Sequence, residues 1–176
     1  DAREYVVVHN PEAGRLAKTM VDRLEMDVTA IKNLKLTGEI GAADYTFMRD
    51  KMTSLMRLNL KEVESLIDGV YKIPGSAFYG KTTLIKCVLP DKLERIEKDA
   101  FSSTSLTGTV QLPEGLKFVC GFSSTKITKV QFPSTLEEIG VNAFSSCNSL
   151  MCEISLPHSL KRIEGSAFQS SAIKGN

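Results

Sequence analysis

The sequence predicts an α/β, strand-dominated, right-handed solenoid with one parallel sheet and a small amino-terminal strand-helix cap. Three observations carry this. A unit recurs from residue 70 onward with prolines spaced 23, 20 and 24 residues apart. Apolar residues alternate within each candidate strand, as in Cys87-x-Leu89 and Val110-x-Leu112. Near the amino terminus, Leu16, Met20 and Leu24 instead fall at helical spacing, flanked by Ala17 and Val21.

The first element is a short strand over 5–8, where Tyr5 leads into Val6-Val7-Val8. Asn10-Pro11-Glu12 then reads as a helix start, with Asn at the cap and Pro at the first helical position. Gly14 leaves the exact start open. Residues 1–30 thus form a cap over the first coil, which a stack of repeats requires. The rest, 31–176, is the repeat array of about six coils. Ile31-x-x-Leu34-x-Leu36 and Leu55-x-x-Leu58-x-Leu60 are two strands 24 residues apart. Between them a helix is expected at 43–52, with Ala43, Phe47 and Met48 toward the core. A longer turn at 61–83 precedes the regular repeats.

In those repeats an apolar-proline pair closes each strand, because proline has no N–H for the ladder. The pairs are Leu89-Pro90, Leu112-Pro113, Phe132-Pro133 and Leu156-Pro157. Leucines 93, 116, 136 and 160 follow three residues later, and Ile96, Val119, Ile139 and Ile163 three residues after those. An Ala-Phe pair comes next at 100–101, 143–144 and 167–168, with an earlier copy at Ala77-Phe78. The copy at Gly121-Phe122 arrives two residues early. A small polar stretch then leads to Leu84, Leu106, Ile127, Leu150 or Ile173. A period of two places alternate side chains on one face, so Ile154 and Leu156 should be buried like their counterparts. The Phe of each coil should fill its centre, packed only against neighbouring coils.

The pattern L-P-x-x-L-x-x-I-x-x-x-A-F, followed by a Ser-rich turn, resembles the BspA-like class of leucine-rich repeats. The segment from Leu34-x-Leu36-Thr37-Gly38 through Asp44 and Phe47-Met48-Arg49 to Leu58-x-Leu60 is similar to the amino-terminal portion of bacterial surface members. The resemblance implies a leucine-rich-repeat fold, export, surface display and attachment to host or neighbouring-cell proteins. It implies no fixed set of functional residues, because the motif positions are structural.

Composition agrees with a binding role. Lys plus Arg number 22 against 21 Asp plus Glu, a balance that argues against nucleic acid as a partner. No apolar run approaches the roughly 20 residues that span a bilayer. Asp1-Ala2-Arg3 shows no signal-peptide pattern, as a mature exported chain also would not. Cys87, Cys120, Cys147 and Cys152 form no C-x-x-C pair and read as small apolar residues rather than metal ligands or a disulfide framework. Lys174-Gly175-Asn176 ends where another strand would form, so the array is truncated or uncapped there and its edge is open to self-association.

Catalytic patterns are weak. His9 and His158 lie in unrelated elements, and His158 follows Pro157 in a turn. Gly75-Ser76-Ala77-Phe78-Tyr79-Gly80-Lys81-Thr82 satisfies the bare phosphate-loop string, but its Ala-Phe are repeat-core positions and a strand, not a helix, follows. Ser/Thr clusters at 102–105 and 145–149 suit turn capping. Glu94, Glu97, Glu137 and Glu138 read as solvated surface charges. No cofactor or metal is implied, and an enzyme is the least favoured reading.

The residues between the buried ones form two outward columns. One holds Asn33, Arg57, Lys86, Thr109, Lys129 and Glu153; the other holds Lys35, Asn59, Val88, Gln111, Gln131 and Ser155. Polar, mildly basic and free of aromatics, this face suits a polar or acidic protein ligand better than carbohydrate. A sheet face that is merely soluble would have much the same composition. The function expected is a non-enzymatic, secreted or cell-surface, adhesin-like module, with a structural spacer or stalk as the alternative.

Overall fold

The computed structural model describes residues 4–151 and 153–173. Asp1–Arg3, Cys152 and Lys174–Asn176, where the sequence showed no signal-peptide pattern and suggested a small apolar cysteine and an open edge, lie outside the described residues. Strand dominates. The elements in order are β1 (Val6–Asn10), a π-helix (Lys18–Arg23), β2 (Asn33–Glu39), α1 (Ala42–Lys51), β3 (Arg57–Glu64), β4 (Leu66–Ile67) and β5 (Val70–Ile73). There follow β6 (Lys86–Val88), β7 (Arg95–Ile96), β8 (Thr107–Gln111), β9 (Phe118–Val119), β10 (Lys126–Gln131), β11 (Glu138–Ile139) and β12 (Arg162–Ile163).

The expectation of one parallel sheet is corrected. Among the described residues three sheets are present, with strand orders β1-β2-β3-β6, β10-β8 and β12-β11-β9-β7-β5-β4. The third arises because the Leu-x-x-Ile return stretch also pairs with its counterparts. Ile73, Ile96, Val119, Ile139 and Ile163 align one beside the next. Neighbouring repeats therefore also pair along the return side.

A further ladder joins the Ala-Phe corners. The Phe78, Phe101, Phe122 and Phe144 N–H groups donate to the carbonyls of Ala100, Gly121, Ala143 and Ala167 at 2.7–2.8 Å. These corners place the rings in a column, stacked at centroid distances of 5.5, 5.1, 5.6 and 5.5 Å from Phe78 through Phe101, Phe122 and Phe144 to Phe168. Tyr45 of α1 closes one end edge-on to Phe78 at 5.7 Å. Phe78, Phe101, Phe122 and Phe144 are 0–1% exposed, as expected for the core of the stack. The short repeat keeps the ladder because Gly121 stands at the Ala place with φ +82. A Cβ there would lie 2.5 Å from the Glu97 carbonyl oxygen, so only glycine fits the two-residue shortening.

The polar turns behave as small hydroxyl residues should. Thr104 and Thr125 hydroxyls donate to the Phe101 and Phe122 carbonyls at 2.7 and 2.8 Å. Gly80, Ser103, Ser124, Ser146 and Ser170 occupy one equivalent place, all with φ between +55 and +71.

Several local expectations change. The first helix does not begin at Asn10. The Asn10 side-chain amide donates to the carbonyls of Glu12 and Glu39 at 2.9 and 2.8 Å, and its oxygen accepts from Thr19 at 2.9 Å. Gly14 turns the chain at φ +85 before the helix starts. Leu16 and Met20 are buried, but Leu24 is 51% exposed. The Leu24 N–H bonds Thr19 O, a wider turn than an α-helix, which rotates Leu24 off the stripe. In α1 the buried residues are Asp44, Tyr45 and Met48, while Ala43 is exposed and Phe47 is half-buried. The stretch 61–83 is not simply a longer turn. Within it β4 and β5 form an antiparallel hairpin around Asp68-Gly69, with φ +52 and +78 at the two turn residues. Leu156 is 44% exposed, whereas its counterparts Leu89 and Leu112 are 8% and 4% exposed. Each repeat's core side chains are covered by the next, and no further repeat follows it among the described residues.

Candidate functional site

Strand pairing brings much of the outward face together. Asn33, Arg57 and Lys86 are aligned across β2, β3 and β6, as are Lys35, Asn59 and Val88. Thr109 lies opposite Lys129, and Gln111 opposite Gln131, across β8 and β10. Glu153 and Ser155 are exposed but belong to no strand, so neither is held in line with the rest. Beneath the face, Leu34, Leu36, Leu58 and Leu60 are at most 1% exposed, so the strands are anchored from one side.

The charges on this face differ in how they are held. Lys35 pairs with Glu62 at 2.6 Å. The Arg57 guanidinium donates to Asn33 Oδ1 at 3.4 Å. Lys86 and Lys129 are exposed and form no ion pair among the described residues. Arg57 and Lys86 are therefore neighbouring cations, with Lys129 a third in the next sheet, and none of the three has an ion-pair partner among the described residues. Asn59 Oδ1 accepts the Lys61 N–H at 3.0 Å, which commits that side chain to the strand's own backbone.

A second feature was not read from the sequence. The first sheet ends at β6 and the next begins at β8, with no strand pairing between the two. The two strands are still joined at their amino-terminal ends, by Thr107 N–H to Ile85 O at 3.3 Å and Ser105 N–H to Leu84 O at 3.1 Å. Beyond that they part over a cleft of about 340 Å³. Its floor includes Phe101 and Phe122 of the ring column, and its rim includes Lys86, Val88, Thr109 and Gln111 of the outward face. Cys87 also lines it, and burial pushes this thiol up to about 12, far from a reactive thiolate at neutral pH. A signal for the cleft was present. Leu84 to Cys87 is three residues, whereas Leu106 to Val110 is four.

The phosphate-loop string is absorbed by the fold. Lys81 is 7% exposed, and its ammonium donates to the carbonyls of Arg49 and Met52 at 3.0 and 2.8 Å, closing the end of α1. His158 is exposed in a turn. Glu137 pairs with Lys161 at 3.0 Å, and Glu97 with Arg95 at 2.5 Å, both near the surface. Among the described residues, no three His, Cys, Asp or Glu side chains converge as a metal site. No helix among them is long and apolar enough to cross a membrane.

Comparison with known proteins agrees with the repeat architecture. The chain aligns with a leucine-rich repeat protein from Bacteroides ovatus at TM-score 0.66 and 23% identity. That alignment covers 95% of this chain and 44% of the other, so the chain spans less than half the length of that relative. A leucine rich cell surface protein from Faecalibacterium prausnitzii aligns at TM-score 0.26 and 15% identity, over 79% of this chain and 70% of the other. No curated protein matches the sequence. Residues 71–175 match the BspA type leucine rich repeat region in six copies. With more than half its length matched, the chain belongs to the BspA-type leucine-rich-repeat family, whose members are usually surface or extracellular and typically non-enzymatic.

Proposed function

We propose that the chain is a non-enzymatic, secreted or surface-displayed binding module, adhesin-like, that holds an acidic protein partner on its outward strand face. In this reading the repeats from 31 to 176 wind as a right-handed solenoid of about six coils, and residues 1–30 cap it. The observation that carries the proposal is the set Arg57, Lys86 and Lys129: strand pairing sets Arg57 beside Lys86, Lys129 stands in the neighbouring sheet, and none of the three has an ion-pair partner among the described residues. Unpaired basic groups on a rigid sheet attract negative surfaces over a range set by the Debye length, about 8 Å at physiological salt. Family membership supports the broader role, because leucine-rich repeats generally mediate protein binding.

The test is binding of the purified chain to a panel of extracellular proteins, host and bacterial, at low and physiological salt. The expected result is saturable binding to acidic members, weakened by salt. Replacing Arg57, Lys86 and Lys129 together by alanine should lower affinity by about tenfold or more, since each rim charge contributes up to about 1 kcal/mol. Absence of saturable binding would instead favour a spacer that holds another part of a longer protein away from the cell.

A further inference from the structure

We propose that the cleft between β6 and β8 receives a single large apolar side chain from an extended segment of a partner protein, with an acidic residue beside it. This deepens the reading of the chain as a protein-binding module.

One inserted residue marks the strand on the β8 side of the cleft. Between the buried Leu106 and the half-buried Val110 the chain has one residue more than between Leu84 and Cys87. Gly108 lies in that stretch with φ +75, a left-handed strand position that glycine tolerates and other residues resist. Pairing that begins at Ile85 and Thr107 is not continued, whereas β10, with the same three-residue spacing from Ile127 to Val130, takes up the difference in a register shift and pairs β8; β6 and β8 are left as two sheet edges facing one another. In a parallel strand, alternate residues direct N–H and C=O to opposite sides. Each edge therefore offers donors and acceptors at strand spacing, which an extended peptide satisfies.

The floor specifies what such a peptide must carry. Phe101 and Phe122 rings, with Leu106, close the bottom of a space of about 340 Å³. That is at the small end of binding pockets and suits one bulky side chain better than a cofactor. The rim specifies what stands next to it. Lys61 is held by Asp91 at 2.9 Å, but Lys86 has no carboxylate partner among the described residues. A carboxylate flanking the inserted side chain would supply one.

The probes are fluorescent, end-blocked peptides of threonine with a central phenylalanine or leucine flanked by aspartates. Controls carry a central serine, or lysines in place of the aspartates. Fluorescence anisotropy should show saturable binding below about 1 mM for the apolar-centred acidic peptides only. Lys86→Glu should weaken that binding by about tenfold and transfer preference to the lysine-flanked peptide. Deletion of Gly108 should close the cleft and abolish binding. If the deletion variant fails to fold, the charge exchange at Lys86 decides alone. No saturable binding of either acidic peptide, or binding indifferent to Lys86→Glu, overturns the proposal. Decanoate binding in place of the peptides also overturns it, in favour of a small amphiphile. Acidic proteins that bind while the peptides do not leave the strand-face reading standing and remove only the cleft. Peptides that bind while the protein panel does not would do the reverse.

Discussion

Phe101 shows how one residue serves several levels of the structure. Its N–H bonds Gly121 O at 2.7 Å, its ring stacks between Phe78 and Phe122, and its carbonyl accepts the Thr104 hydroxyl. Stacked pairs of this kind contribute about 0.5–1.5 kcal/mol beyond area burial. Phe101→Ala should therefore destabilise the chain by about 3–5 kcal/mol, most of it from the cavity left in the ring column. In urea denaturation this would appear as a lower midpoint with an unchanged slope. A midpoint close to wild type would mean that the column closes up around the gap and does not hold the repeats. The neighbouring turn residues matter differently. Ser103, Ser124 and Ser146 accept a left-handed backbone because the turn carbonyls and N–H groups bond the next repeat, as in Ser103 N–H to Ser123 O at 2.9 Å.

At the scale of elements, Asp44 joins the amino-terminal segment to α1. Its carboxylate accepts the N–H groups of Gly14 at 2.7 Å and Leu16 at 2.9 Å, and that of Gly41 at 2.9 Å, the residue preceding the helix. A carboxylate in the first turn also faces the positive end of the helix dipole. Asp44→Asn has one acceptor oxygen instead of two, so a buried N–H loses its partner at a cost of about 1–3 kcal/mol. Faster hydrogen exchange at Gly14 and Leu16 should accompany the lower urea midpoint. Exchange unchanged at both would show that the segment is held by Asn10 and its three side-chain bonds instead. The hairpin β4-β5 is a second such join, since β5 pairs β7 and so starts the return-side sheet.

For the whole molecule, burial sets the response to alkaline pH. Burial raises the thiols of Cys87, Cys120 and Cys147 above the usual 9.0, and burial also raises the Tyr45 phenol. Above pH 9 the unfolded chain loses these protons while the native chain keeps them. Unfolding then releases protons, and stability falls as pH rises. Lys81 acts the other way: burial lowers it, so it favours the native state as pH approaches 10.5. One lysine opposes three thiols and a phenol, and the net direction is loss. The thermal midpoint should drop between about pH 8 and about pH 10. A variant with alanine at Cys87, Cys120 and Cys147 should show a shallower drop, whatever its midpoint at neutral pH. Parallel slopes in the two proteins would remove the thiols as the cause.

The sequence by itself determined the repeat, the outward-side strands of β2, β3, β6, β8 and β10, and the burial of the Phe residues. Each depends on spacing along the chain, and a period of two or of about 23 residues survives without knowledge of what lies alongside. Even the Asp68-Gly69 hairpin was legible in principle, since that dipeptide is a turn signal, but the surrounding period masked it. The tertiary structure alone decided the rest. It showed the return stretch to be a sheet, because whether two-residue strands pair depends on how closely neighbouring repeats approach. It showed the π-helix, whose winding differs from an α-helix by an amount that composition does not encode. It also showed that a one-residue difference in spacing is absorbed as a register shift toward β10 and left as a cleft toward β6. An insertion is visible in a string, but where its strain opens the sheet depends on the strands packed on either side.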